Sequence, residues 1–112
     1  LEGLDVACVP GDIRDPDSLR RAFAGAQVVY HSAAYISLVW DDWPALQAIN
    51  IQGVQNVIEA CRACGVQRLV HFSSVHALNQ EPVDIPLDED RPLVNSPAVP
   101  PYDRRSPMDW TR

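Results

Sequence analysis

The sequence predicts an α/β domain built on a parallel sheet, and two observations carry that prediction. Three β-rich apolar runs, at residues 4–9, 27–31 and 66–75, alternate with two segments whose apolar residues recur at helical spacing. Each run also empties into small or polar residues: Pro10-Gly11-Asp12, Ser32-Ala33-Ala34 and Ser73-Ser74. A β-α-β-α-β order with short connections implies right-handed crossovers, which bring all three strand ends to one edge of the sheet. Ligands of open α/β sheets bind outside that edge.

Leu4-Asp5-Val6-Ala7-Cys8-Val9 suits a strand, and Pro10-Gly11 suits the tight turn that ends it. Asp15-Pro16-Asp17-Ser18-Leu19 then reads as a helix start, with a capping aspartate, proline at the first helical position and acid in the first turn. Leu19, Ala22 and Phe23 form its apolar side, and Gly25 closes it. Gln27-Val28-Val29-Tyr30-His31 is the second strand. Trp40, Asp41, Asp42, Trp43 and Pro44 make a loop whose aromatics either wall a pocket or pack on their own domain.

Residues 45–64 are the longest periodic segment, with Leu46, Ile49, Gly53, Val54, Val57, Ile58 and Cys61 on one stripe and Asn50 on or beside it. The spacing predicts one continuous helix ending at Gly65. Val66-Gln67-Arg68-Leu69-Val70-His71-Phe72 is the third strand, running into Ser73-Ser74. A serine at a strand end is held more rigidly than one on a loop. From Gln80 the texture changes: seven of the ten prolines and the acids Asp84, Asp88, Glu89 and Asp90 fall here, and periodicity is lost. The division expected is therefore residues 1–79 as the sheet-forming part and 80–112 as an irregular Pro-rich segment.

A chain of 112 residues suits one domain or part of one. Its 15 acidic against 9 basic residues give a net charge of −6, which repels a phosphate backbone and argues against nucleic acid as a partner. No run of about 18 apolar residues suggests a membrane span and no basic-then-apolar leader is visible, so a cytoplasmic location is expected. Cys8, Cys61 and Cys64 are an odd set, expected to stay reduced. Cys61-Arg62-Ala63-Cys64 has redox spacing but stands before Gly65 at a helix end, where no N-terminal dipole lowers a thiol pKa. His31, His71 and His76 are scattered, and no metal site is expected.

Four segments in order carry a resemblance: Gly11-Asp12-Ile13-Arg14-Asp15, Val28-Val29-Tyr30-His31-Ser32-Ala33-Ala34, Asn50-Ile51-Gln52-Gly53-Val54-Gln55-Asn56 and His71-Phe72-Ser73-Ser74. Together they make residues 1–102 similar to the extended short-chain dehydrogenase/reductase family of NAD(P)-dependent epimerases, dehydratases and reductases. The dihydroflavonol-reductase and 3β-hydroxysteroid-dehydrogenase branch is the nearest in pattern. The resemblance implies an incomplete Rossmann-type parallel sheet with flanking helices, NAD or NADP as cofactor, and a small-molecule substrate.

Residue by residue, the resemblance implies that Asp12 and Ile13 meet the adenine, while Ala33 and Ala34 admit the ribose and phosphates to the backbone. Asn50 would support the active site from its helix, and Ser74, with Ser73 as its neighbour, would hold the substrate oxygen. The residues alone also allow plainer readings: Asp12 as a turn cap, Ala33-Ala34 as close packing, Asn50 as an amide bonded to nearby backbone, and Ser73-Ser74 as a turn. Tyr102, 28 residues beyond Ser74, falls at the family's acid/base position.

Two departures qualify the implication. A tyrosine near pKa 10 becomes a base at neutral pH beside fixed positive charge, which the family supplies with a lysine four residues on. Here that position is Ser106, followed by Pro107. The family's Gly-rich phosphate turn and its cofactor-selecting residue after the second strand have no counterpart in the sequence, nor do the two strands that, in the family's sheet order, lie between the first and second runs. The chain by itself is therefore expected to be an inactive part of a NAD(P)-dependent oxidoreductase or epimerase acting on a small alcohol or ketone, whether sterol-like, flavonoid-like or a nucleotide sugar. A non-catalytic binding module and a truncated or frame-shifted remnant are the alternatives. Substrate, NAD or NADP preference and oligomeric state are left open.

Overall fold

The computed structural model describes residues 3–37 and 42–94. Helix α1 (Pro16–Phe23) forms where its caps direct it: Asp15 accepts from the Asp17 N–H at 3.0 Å, and Pro16 occupies the first turn, where a missing N–H costs nothing. Arg20 and Arg21 in the last turn oppose the helix dipole. The chain then reverses at Gly25, whose φ of 79° lies in the left-handed region, and enters strand β1 (Val28–His31).

Helix α2 (Trp43–Leu46) continues through a π-helical stretch (Gln47–Gly53) into α3 (Val54–Ala63). The predicted helix is present, but its first half is wound wider than an α-helix, a feature found mostly at functional sites. Helix α3 ends as its sequence prescribes. The Gly65 N–H bonds the Arg62 carbonyl at 3.3 Å and the Val66 N–H bonds the Cys61 carbonyl at 2.9 Å, the paired bonds of a Schellman motif. Gly65 supplies the positive φ of 70° that this closure requires.

Strand β2 (Arg68–His71) pairs parallel with β1 in the register Val28↔Arg68, Val29↔Leu69, Tyr30↔Val70 and His31↔His71. Alternation sends Val29 and His31 to the covered face and leaves Val28 and Tyr30 exposed. The core lies under that covered face. Leu19 from α1, Val29 from β1 and Val57, Ala60 and Cys61 from α3 form it, with Ile13, Phe23 and Leu69 packed around. Burying each such aliphatic side chain contributes roughly 1.5–3 kcal/mol. Cys61 belongs to this core, and burial pushes its thiol pKa up, the opposite of a redox-active cysteine.

One predicted strand does not form. Leu4, Val6 and Val9 are between 53% and 62% exposed, and the segment's backbone bond is local, from the Val6 N–H to the Leu4 carbonyl. A strand is stable only when its backbone pairs, and among the described residues nothing runs beside this one.

After β2 the chain makes a short 3-10 turn (Val75–Ala77) and an irregular loop closed by an antiparallel bridge between Leu78 and Leu93. The loop is irregular, as its prolines predict, yet it has internal order. The Arg91 guanidinium donates to four backbone carbonyls, those of Glu81 and Ile85 at 2.8 Å, Pro86 at 3.2 Å and Pro82 at 3.3 Å. Val94, just past the neck, is buried. None of the described helices is long and apolar enough to cross a membrane.

Candidate active site

The parallel pair delivers Ser32-Ala33-Ala34 and Phe72-Ser73-Ser74 to one edge, and the π-helical stretch passes alongside. Between them lies a cleft of about 360 Å³, lined by Ala33, Ala34, Asn50, His71, Ser73 and Ser74 among others. A second cleft of about 370 Å³ lies on the other side of Ala33 and Ala34, against Gly11, Asp12, Ile13 and Arg14. The two meet along the Ala33-Ala34 backbone. Seven of the predicted site residues thus line these two clefts, a trough in two parts that share Ala33 and Ala34; Tyr102 lies outside the described residues.

Asn50 sets the middle wall of that trough. Its Oδ1 accepts from the Tyr35 N–H and its Nδ2 donates to the Tyr35 carbonyl, both at 2.8 Å. The same tyrosine's hydroxyl donates to the Asp42 carboxylate at 2.7 Å, which lowers the aspartate pKa and raises the phenol's. Tyr35, next to Ala33-Ala34, is therefore fixed by three hydrogen bonds, two with Asn50 and one with Asp42. The plainer reading of Asn50, an amide on nearby backbone, describes its contacts, and those contacts shape the cleft.

Ser74 caps the 3-10 turn, accepting from the His76 N–H at 3.2 Å. That bond uses one lone pair of the hydroxyl and leaves its O–H to donate into the cleft. Ser73 is exposed at the rim.

Asp12 is both turn cap and charged wall. Its Oδ1 accepts from the Arg14 N–H at 2.8 Å, and the Arg14 guanidinium reaches Oδ2 at 2.6 Å through Nη2. These hydrogen bonds, with the guanidinium charge, hold the Asp12 pKa at about 2. Three N–H donors of Arg14 make four hydrogen bonds to the carboxylate, the Nε–H being shared between its two oxygens.

The turn itself is gripped from both helices. Ser18 of α1 accepts from the Asp12 N–H at 2.9 Å. Asn56, only 7% exposed, donates through Nδ2 to the Ile13 carbonyl at 2.9 Å, while its Oδ1 accepts from Gln52 at 3.2 Å. Sequence reading placed Asn56 in a motif without a task, and missed Ser18 and Tyr35. The one signal available for Asn56 was a polar side chain on a helix turned towards the core.

His31 and His71, in register on adjacent strands, stack with ring centroids 5.2 Å apart. His31 is buried, and its Nε2 has no hydrogen-bond partner among the described residues. Burial, and the neighbouring His71, push its pKa below the ordinary value; burial does the same to His71.

Residues 2–100 match the 3-beta hydroxysteroid dehydrogenase/isomerase family over nearly the whole chain. The chain belongs to this family. Among relatives of this family member, sterol demethylase protein B of Methylococcus capsulatus is 38% identical over 82 residues, which are 73% of this chain and 25% of that protein. The 3beta-hydroxysteroid-dehydrogenase/decarboxylase isoform 2 of Arabidopsis thaliana is 42% identical over 69 residues, 62% of this chain and 12% of that one. Of solved structures, a short-chain dehydrogenase/reductase superfamily protein from Agrobacterium tumefaciens with bound NAD superposes with a TM-score of 0.75 at 31% identity, over 92% of this chain and 31% of its own. UDP-glucose 4-epimerase of Thermus thermophilus, also with NAD, gives a TM-score of 0.65 at 31% identity, over 82% and 30%. The parallel pair, its helices and the trough are thus part of a Rossmann-type fold, and this family member spans a third or less of the relatives it matches.

Proposed function

We propose that residues 1–79 are the central part of a NAD(P)-binding domain, that 80–112 lead to its acid/base tyrosine, and that the whole enzyme oxidises or reduces a small secondary alcohol or ketone. The observation that carries this reading is the pair of clefts that share Ala33 and Ala34, one lined by Asp12 and Ile13 and the other by Asn50, Ser73 and Ser74. A dinucleotide is long and has two dissimilar ends, and the trough has the same character. The names of the relatives that this family member matches favour a sterol-like substrate over a nucleotide sugar.

In this reading Asp12 accepts from the adenine amino group, Ile13 offers an apolar contact to the ring, and the short side chains of Ala33 and Ala34 let the ribose and phosphates reach the backbone. A nicotinamide ring, when bound, gives or takes the hydride. Ser74 donates its hydroxyl hydrogen to the substrate oxygen and holds the reacting carbon in place. Tyr102 gives or accepts the proton at its phenolic oxygen, for which a neighbouring cation must stabilise the phenolate. Asn50 acts through Tyr35, fixing the wall between the two ends.

The test is made on the full chain carrying this segment. Ser74→Ala is expected to cut turnover about 100- to 1,000-fold, the usual cost of removing one donor to a developing oxyanion. Unchanged turnover would remove Ser74 from the site, and no cofactor reduction with any secondary alcohol would end the oxidoreductase reading. Ser106 in place of the family's lysine favours a second reading, a binding module without catalysis, and cofactor affinity without turnover would be its signature.

A further inference from the structure

We propose that Asn56, seconded by Gly53, is a positioning residue that sets the adenine end of the cofactor site through Ile13. The inference rests on the cofactor reading above and adds to it the device that holds one end of the trough in shape. Four observations meet at Ile13 and its neighbour Asp12. The Asn56 amide crosses 43 positions in sequence to donate to the Ile13 carbonyl at 2.9 Å. It is buried, and its other end is fixed by Gln52, so the donor cannot swing away. One turn earlier, Gly53 lies so close to the Ile13 side chain that a Cβ would stand 2.7 Å from Cδ1 and 2.9 Å from Cγ1. Ile13 is therefore held by backbone and side chain from one helix, while Ser18 holds the Asp12 N–H from the other.

The consequence is a division of labour along that helix. Asn50 fixes residue 35 and hence the middle of the trough; Asn56 fixes residue 13 and hence its far end. Neither needs to touch a ligand. If the Ile13 carbonyl is released, the Asp12 carboxylate and the Ile13 side chain lose their fixed relation to Ala33-Ala34, and only ligands that use that end suffer.

Calorimetric titration of the full chain with ADP-ribose and, separately, with nicotinamide mononucleotide tests this. Asn56→Ala should weaken ADP-ribose about five- to tenfold, the worth of roughly one hydrogen bond, and leave nicotinamide mononucleotide within about twofold. Asn56→Asp keeps the shape but turns a donor into an acceptor facing a carbonyl, so it should lose at least as much as the alanine variant. Equal losses for both ligands, or an aspartate variant that binds ADP-ribose like the parent, overturn the proposal. Should both Asn56 variants fail to fold, Gly53→Ala decides it: the added methyl pushes on Ile13, so a severalfold loss for ADP-ribose alone supports the proposal and unchanged binding overturns it. A parent chain that binds neither NAD nor ADP-ribose defeats the cofactor reading as well, a result distinct from a parent that binds and variants that do not differ.

Discussion

Gly53→Ala offers a stability test in which the sign itself is the prediction. Gly53 has helical dihedrals, φ −59° and ψ −43°, so alanine fits the backbone, and in a helix it should stabilise by up to about 1 kcal/mol. Against this stands the contact with Ile13. A Cβ would meet Ile13 Cδ1 at 2.7 Å and Cγ1 at 2.9 Å, and the side chain cannot swing freely because it packs on the core. Overpacking of this kind costs about 1–3 kcal/mol, so the net change should be a loss of up to about 2 kcal/mol. Shortening Ile13 to alanine removes both offending atoms and leaves only the Cβ at 3.5 Å, an ordinary contact. In the Ile13→Ala background, Gly53→Ala should therefore stabilise, by roughly 0.5–1 kcal/mol. Denaturant unfolding of the four members of this cycle in the full chain reads the difference, with a coupling of about 1–3 kcal/mol expected for residues in contact. A Gly53→Ala effect of the same sign and size in both backgrounds would refute the argument.

Asn50→Ala removes two hydrogen bonds to Tyr35 and leaves its backbone groups half-buried without partners, so a loss of about 1–3 kcal/mol in denaturant unfolding is expected. His31 and His71 both have folded-state pKa values depressed below the ordinary 6.5, so the unfolded chain binds more protons and stability falls as pH drops from about 6.5 through the lower folded values. His31→Leu should flatten that slope in unfolding midpoints measured between pH 7 and 5, and an unaltered slope would acquit His31. Asp12 should titrate near 2 by NMR, and Arg14→Ala should return it towards 3.8; a midpoint unmoved by loss of Arg14 would contradict the pairing.

Local chemistry was legible in the sequence wherever a few consecutive residues decide the outcome. Asp15-Pro16 starts α1, the helix ends at Gly65 as expected, and the small residues after β1 and β2 meet at one edge because parallel strands end together. The trough follows from that alignment. What escaped prediction depends on partners distant in sequence. Periodicity identifies which face of a helix is covered but not what covers it, so Asn56 gave no hint of Ile13. His31 and His71 looked scattered because only the strand register brings them face to face. The 4–9 run has strand composition, but composition supplies no neighbour. The π-helical winding has no local sequence signature at all; its apolar stripe reads the same as that of an α-helix.

Arg91 has a consequence for how this chain tolerates change. Its guanidinium substitutes for a sheet: four carbonyls that in regular structure would need four separate N–H donors are gathered by one side chain. The Leu78–Leu93 bridge closes the loop at its base, and Arg91 gathers the turn around Val83, which is 81% exposed. Residues added or deleted between Pro82 and Ile85 would pull apart acceptors that Arg91 gathers, whereas substitution of the Val83 side chain leaves the clasp intact. The arginine is the knot of a segment tolerant of what its side chains are but not of how many residues it has, and loss of that knot would loosen the whole loop at once.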